Sequence, residues 1–198
     1  MKKSLIVLLV IVGLLLIGYF SFKGIYNNMV TMQEATAGQW ANVETSYQRR
    51  ADLIPNLVNT VKGYADFEQE TLTQVIEARS KATSIQVDAN EIDPQQLQRF
   101  QQAQSQLSGA LSRLLVTIER YPDLKANQNF LALQSQLEGT ENRISVERRK
   151  FNNVVRDYNT YVQKFPQVII ANLTGFDKKG YFEAAEGSEV APEVDFGS

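Results

Sequence analysis

The chain has 198 residues and a net charge of −2, and it contains neither histidine nor cysteine. Without cysteine there are no disulfides, thiolate metal sites or lipidated N-terminal thiol. Without histidine the usual near-neutral general base and commonest metal ligand are missing, which argues against Ser-His hydrolases, zinc enzymes and His-liganded di-iron bundles. The near-neutral charge gives no field for binding nucleic acid. Five acids and no base lie between Glu183 and Ser198, so residues 1–182 carry +3, matching Lys2, Lys3 and Lys23 around the first apolar segment.

That segment, Leu5 to Phe22, reads LIVLLVIVGLLLIGYFSF. As a helix it spans about 27 Å, enough for the hydrocarbon core of a bilayer. Tyr19, Phe20 and Tyr26 stand at its far end, where aromatic rings favour the interface. A cleaved signal peptide is the rival reading, but the apolar run is long for one and no small-residue cleavage site follows. Lys2 and Lys3 before the span, against Lys23 after it, favour a cytoplasmic N-terminus with the rest outside the cytoplasm.

Apolar residues then step in threes and fours. Trp40, Val43, Tyr47, Ile54, Leu57, Val61 and Tyr64 form a heptad seam interrupted by Arg50. The seam stays in phase across Pro55, so the pattern predicts one long kinked helix over 24–63. Asp66 with Gln69 resembles a capping box opening a second helix, with Leu72, Val75, Ile76, Arg79 and Ala82 on its seam. The stretch Val87–Asp93 breaks the pattern, and Pro94 suits the first turn of a third helix. Leu97, Phe100, Gln104, Leu107, Leu111, Leu114, Ile118 and Tyr121 line that helix, which ends at Tyr121-Pro122. A fourth runs from near Ala126 to Lys164, with Phe130, Leu133, Leu137, Thr140, Ile144, Glu147, Phe151, Val154, Tyr158, Tyr161 and Phe165 inward.

The expected fold is all-α, with a transmembrane helix followed by an elongated antiparallel up-down-up-down bundle of four helices, the first and last long. Residues 1–23 form the anchor, 24–166 the bundle, 167–183 a segment near the bundle base, and 184–198 a disordered acidic tail.

Several stretches resemble the LemA family. They are Arg50-Ala51-Asp52-Leu53-Ile54-Pro55-Asn56-Leu57-Val58 with Val61-Lys62-Gly63-Tyr64, Glu77-Ala78-Arg79, and Tyr121 to Asn127. Leu137 to Ile144, Arg149 with Phe151-Asn152, Tyr158-Asn159, Gly175-Phe176 and Tyr181-Phe182 complete the set. Members often carry His-Glu just after Lys-Gly-Tyr, where this chain has Phe67-Glu68, so no role for that histidine carries over. The resemblance implies a bacterial, membrane-anchored, all-helical protein and no catalytic residues.

Other motifs have bland readings. Asp88, Asn90, Glu91 and Asp93 lack the central Gly and terminal Glu of a Ca2+ loop and read as a solvated connection. Glu138, Glu141 and Glu147 lack the histidines that a carboxylate-bridged metal site in a bundle needs. The glutamine-rich 95–106 keeps its apolar seam. Asn172-Leu173-Thr174 is a chance sequon, and Arg148-Arg149 reads as an exposed charged face.

The sharpest expectation is a polar layer across the bundle. Arg50, Arg79 and Gln104 interrupt otherwise apolar seams, and counting from the turns places Glu141 beside Gln104. Two arginines in a core need a carboxylate, because an unpaired buried charge is costly. Glu141 is the first choice, with a separation from Arg50 of ~4 Å or less, and Glu44 and Glu147 are alternates. Such a layer would fix helix register; a small-anion site between the arginines is the sharper reading.

Neither cofactor nor metal nor nucleic acid is expected. The expected partners are the lipid bilayer and another membrane or envelope protein, with homo-oligomerisation open. Functionally the chain reads as a non-catalytic interaction or scaffold protein of the bacterial cytoplasmic membrane. The alternatives are a regulatory subunit of a membrane protease or transporter, and a membrane-surface remodelling protein.

Overall fold

The computed structural model describes residues 2–63 and 68–183. Among these residues the regular elements are six helices and no strand: α1 (Lys2–Lys62), α2 (Gln69–Ser84), α3 (Pro94–Ile118), α4 (Pro122–Lys125), α5 (Gln128–Gln163) and α6 (Gln167–Thr174). A span and four bundle helices were expected; α1 joins the span to the first of these, and the single turn α4 and the short α6 are additional. Pro122 sits in the first turn of α4, where its fixed φ favours a helical start. Tyr64 and Asp66 lie outside the described residues, as does the acidic tail from residue 184.

The anchor and the first bundle helix are one element. α1 runs 61 residues without a break, about 92 Å at 1.5 Å per residue. The expected boundary at residues 23/24 carries no structural signal. Gly24 weakens a helix by about 1 kcal/mol but does not stop one, and no proline or capping residue stands beside it. The apolar part of α1 is unburied, long enough and apolar enough to cross a membrane.

Helix starts follow local chemistry. Asp93 Oδ2 accepts from the Gln96 N–H at 3.0 Å, with Pro94 in the first turn of α3. Asn127 Oδ1 accepts from the N–H groups of Asn129 and Phe130 at 2.9 and 3.1 Å and opens α5.

α1 packs along α5, and α2 along α3. Arg50 meets Glu141, and Gln39 further down α1 meets Glu147 further along α5, so the long pair is antiparallel. The core falls into three stacked clusters. One, around Leu57, Leu72, Leu114 and Phe130, joins α1, α2, α3 and α5. The middle one is aromatic, built on Trp40, Phe100, Phe151 and Phe182. The third packs Met29 of α1 and Tyr158 of α5 against Ile170 and Ala171 of α6.

Two expectations about the seams need correction. Ile76 is exposed. On α5 the inward positions after Phe151 are Val155, Tyr158 and Val162, while Val154 and Tyr161 are only half-buried and Phe165 is 81% exposed. A straight α-helix drifts about 20° per heptad against a 3.5-residue repeat, so the buried stripe slips one position over the length of α5.

Candidate functional site

The most buried charge in the core is Arg50, 2% exposed. Its Nη1 donates to Glu141 Oε2 and to Ser108 Oγ, each at 2.8 Å. Its Nη2 donates to Gln104 Oε1 at 2.6 Å and to the Gln104 carbonyl at 3.3 Å. The guanidinium lies 5.2 Å from the centroid of the Tyr47 ring, and its Nε has no partner among the described residues. Burial pushes the Tyr47 phenol up, against the pull of Arg148 and Arg50. Glu141 is 57% exposed and reaches in from solvent, so water screens its half of the ion pair.

Arg50, Gln104 and Glu141 therefore meet, with Ser108 as a member that the seams did not mark. Arg79 does not join their hydrogen bonds: its Nε donates to the carbonyl of Ala51, the residue after Arg50, at 2.8 Å. Helical pairing would give that carbonyl the N–H of residue 55, but Pro55 has none. Arg79 on α2 thus occupies an acceptor that the proline leaves free. Gln104 does the same elsewhere: its Nε2 donates at 3.1 Å to Ala82 O, among the last carbonyls of α2 that lack an intrahelical donor. We expect Arg79→Met to cost about 1–3 kcal/mol, the penalty of an unsatisfied acceptor. Adding Pro55→Ala restores an N–H at that level and should recover most of the loss. A double-mutant cycle by thermal unfolding checks this, and purely additive effects would refute it.

The alternate carboxylates do other work or none in the core. Glu44 is exposed. Glu147 accepts from Gln39 Nε2 at 2.8 Å and from Lys150 Nζ at 3.0 Å. The Gln39 hydrogen bond, then that of Lys150, holds its carboxyl below the usual range.

The sequence did not announce a second site. After α6, Gly175 turns the chain in the left-handed region at φ 78°, and residues 177–183 run back against α5 as an extended strap. Three side-chain amides hold its backbone. Asn159 donates to the Lys179 carbonyl and accepts from the Lys179 N–H, both at 2.9 Å. Asn152 does the same with Phe182 at 2.8 and 2.9 Å, and Gln101 of α3 with Glu183 at 2.8 and 3.2 Å. A carboxamide offers one acceptor and a donor side by side, so it pairs with a peptide unit as a neighbouring strand would.

Side chains lock the strap in place. Phe182 stacks on Trp40 with centroids 6.0 Å apart and meets Phe151 edge-on at 5.4 Å. Arg148 lies 4.7 Å over the Phe182 ring and donates to the Glu183 carbonyl at 2.9 Å. That corrects the reading of Arg148-Arg149 as one exposed face, since Arg148 is half-buried and only Arg149 is exposed. Gly180 passes so close to α3 that a Cβ would stand 2.9 Å from Pro94 Cα. Buried Lys179 donates to the Asn90 carbonyl; burial depresses its pKa, while Asp88 and Glu91 pull the other way. The 88–93 loop is thereby tied to the strap. Tyr158 donates to the Asp177 carbonyl at 3.0 Å. Burial, then the Asp177 charge, pushes its phenol up to about 12.

The one sequence signal that could have found the strap is the spacing of Asn152 and Asn159, seven residues apart and each directly after a core aromatic. Among the described residues, no cluster of three His, Cys, Asp or Glu side chains has a geometry suited to a metal.

Comparison with known proteins fits this picture. The chain is 26% identical over 168 residues to protein LemA of Metamycoplasma hominis, covering 85% of this chain and 73% of that one. It is 27% identical over 179 residues to magnetosome protein MamQ 2 of Paramagnetospirillum magneticum, covering 80% of this chain and 64%, just under two thirds, of the relative. It is also 26% identical over 193 residues to magnetosome protein MamQ of Magnetospirillum gryphiswaldense, covering 85% of this chain and 70% of the relative. The LemA family profile matches residues 39–196, a stretch that takes in Arg50, Pro55, Arg79 and the whole strap, and the chain belongs to the LemA family.

Proposed function

We propose that this chain is a non-catalytic, membrane-anchored interaction protein of the bacterial envelope, one that holds a rigid helical surface at a fixed attitude to the cytoplasmic membrane. One observation carries the reading: the apolar span and the first bundle helix are a single helix, α1. The buried polar groups favour it too. Arg50, Arg79, Gln104, Asn152 and Asn159 are bonded to main-chain groups or to one another. Such groups fix register and hold the strap; they do not present a reactive atom to a cleft.

The finer architecture is an anchor at 1–23, an up-down-up-down bundle over 24–166 formed by α1, α2, α3 and α5, and a segment at 167–183 of which α6 packs near the base while 177–183 strap α5 up to the middle cluster. The N-terminus is cytoplasmic and the bundle lies outside. The partner is an envelope protein, and regulation of a membrane protease or transporter is the variant of this reading in which that partner is an enzyme.

A membrane-impermeant, amine-reactive crosslinker applied to spheroplasts tests this through the exposed Lys81, Lys125 and Lys150. We expect a discrete heteromeric adduct in intact spheroplasts that is lost when Leu5–Phe22 is deleted. Adducts that form only after the membrane is opened would overturn the topology. The absence of any discrete adduct in both conditions would overturn the interaction reading.

A further inference from the structure

α6 has two unlike faces. Ile170 and Ala171 are buried against Met29 and Tyr158. On the opposite side Ile169 is 51% exposed and Leu173 76%, and Phe165, four residues before Ile169, is 81% exposed. Residues four apart share one face of a helix. Phe165 lies just outside α6, before its N-cap Pro166, and the hydrogen bonds from Val168 N to Lys164 O and from Ile169 N to Pro166 O hold this connection against the start of the helix. Ile169 and Leu173 thus form an uncovered apolar stripe on α6, with the exposed Phe165 just before the helix start and the exposed Lys164 and Lys178 beside it.

The position of this stripe selects what covers it. α6 packs on α1 beside Ile25, Met29 and Met32, about 5–15 Å beyond Phe22 at 1.5 Å per residue. The headgroup layer of a bilayer extends roughly 5–8 Å past the hydrocarbon on each side. The apolar surface is also continuous. Phe22 stacks with Tyr26 at 6.3 Å, and Tyr26 meets Phe176, just past α6, at 5.6 Å. An aromatic path therefore leads from the end of the span to α6. Interfacial helices of this kind bury their apolar side about 5–10 Å into the headgroup–acyl boundary and are favoured by Lys on their flanks.

We infer that α6 is a second membrane contact, its Ile169 and Leu173 face and the Phe165 that precedes it lying in the interface of the same bilayer that α1 crosses. This rests on the anchored reading of α1 and goes beyond it. Two separated contacts, a crossing helix and a lying one, remove rotation and tilt that a single span leaves free.

The full chain, which has no native cysteine to interfere, is spin-labelled one position at a time. It is then reconstituted into vesicles of phosphatidylethanolamine and phosphatidylglycerol. The variants are Phe165→Cys and Leu173→Cys at the second contact, Leu14→Cys in the span, and Leu131→Cys at the far end of α5. All four native side chains are exposed, so the labels do not disturb the core. Collisions with oxygen, which partitions into lipid, are compared with collisions with a water-soluble nickel chelate. The oxygen-to-nickel ratio at 165 and 173 is expected to exceed that at 131 several-fold and to approach that at 14. Ratios at 165 and 173 equal to that at 131, with 14 in lipid, would overturn the second contact alone. Shielding from both reagents would mean protein cover, such as a second copy, and would also overturn it. A water-like ratio at 14 would instead remove the anchor on which the inference stands.

Discussion

Arg50→Ala is expected to lower the stability of the bundle by about 3–5 kcal/mol, the range for breaking a buried charge network and leaving its partners orphaned. The substitution empties a fully enclosed site. It also leaves Gln104 Oε1, itself buried, without its 2.6 Å donor. Arg50→Lys should recover only part of the loss. An ammonium keeps the charge but cannot reach Glu141, Ser108 and Gln104 from one planar fork. Glu141→Gln should cost far less, about 1 kcal/mol, because that carboxylate is mostly in water and its ion pair is screened. Thermal unfolding of the three variants in detergent micelles gives the ordering. Equal costs for Arg50→Ala and Glu141→Gln would mean that the ion pair, rather than the buried hydrogen-bond network, carries the layer.

Phe182→Ala should release the strap. The ring fills the aromatic cluster with Trp40 and Phe151, and large-to-small changes at such sites cost about 3–5 kcal/mol. The strap can detach without unfolding α1 and α5, so the global loss is capped near 2–4 kcal/mol, the rest appearing as local opening. The readout is clean because Trp40 is the single tryptophan. Its emission should shift to the red as the indole face meets water. The amides of Lys179 and Phe182 should exchange with solvent faster, while those in the middle of α5 do not. Unchanged emission and unchanged exchange would show that the three carboxamides hold the strap without the ring.

Much of this was legible in the sequence because the core seams obey simple periodicity. Trp40, Val43, Tyr47, Ile54, Leu57 and Val61 all point inward on α1. Counting along helices of uniform rise put Glu141 beside Gln104 and Arg50 level with Arg79, and the cost of an unpaired buried charge pointed from Arg50 to Glu141. Three things were not legible. Arg79 looked like a member of the charge layer, because a missing N–H at Pro55 creates a partner on the backbone, and a pattern of side chains does not display it. The strap escaped notice because its partners are carboxamides pairing with peptide units, a recognition that leaves no periodic trace in the strap itself. The unity of α1 escaped because the change from lipid-facing to core-facing sequence at Lys23-Gly24 reads as a boundary, although nothing there terminates a helix.

The unbroken passage of α1 from lipid into the core holds the rest together, since it turns an anchor into a mount. The direct measurement places spin labels at Ser21→Cys and Ala41→Cys on either side of Gly24, in the full chain in a lipid nanodisc, and reads their separation by pulsed dipolar spectroscopy. Twenty residues of continuous helix give a narrow distribution centred at ~30 Å. A broad distribution extending to shorter distances would mean a hinge at residues 23–24, and with it a bundle free to swing on its tether.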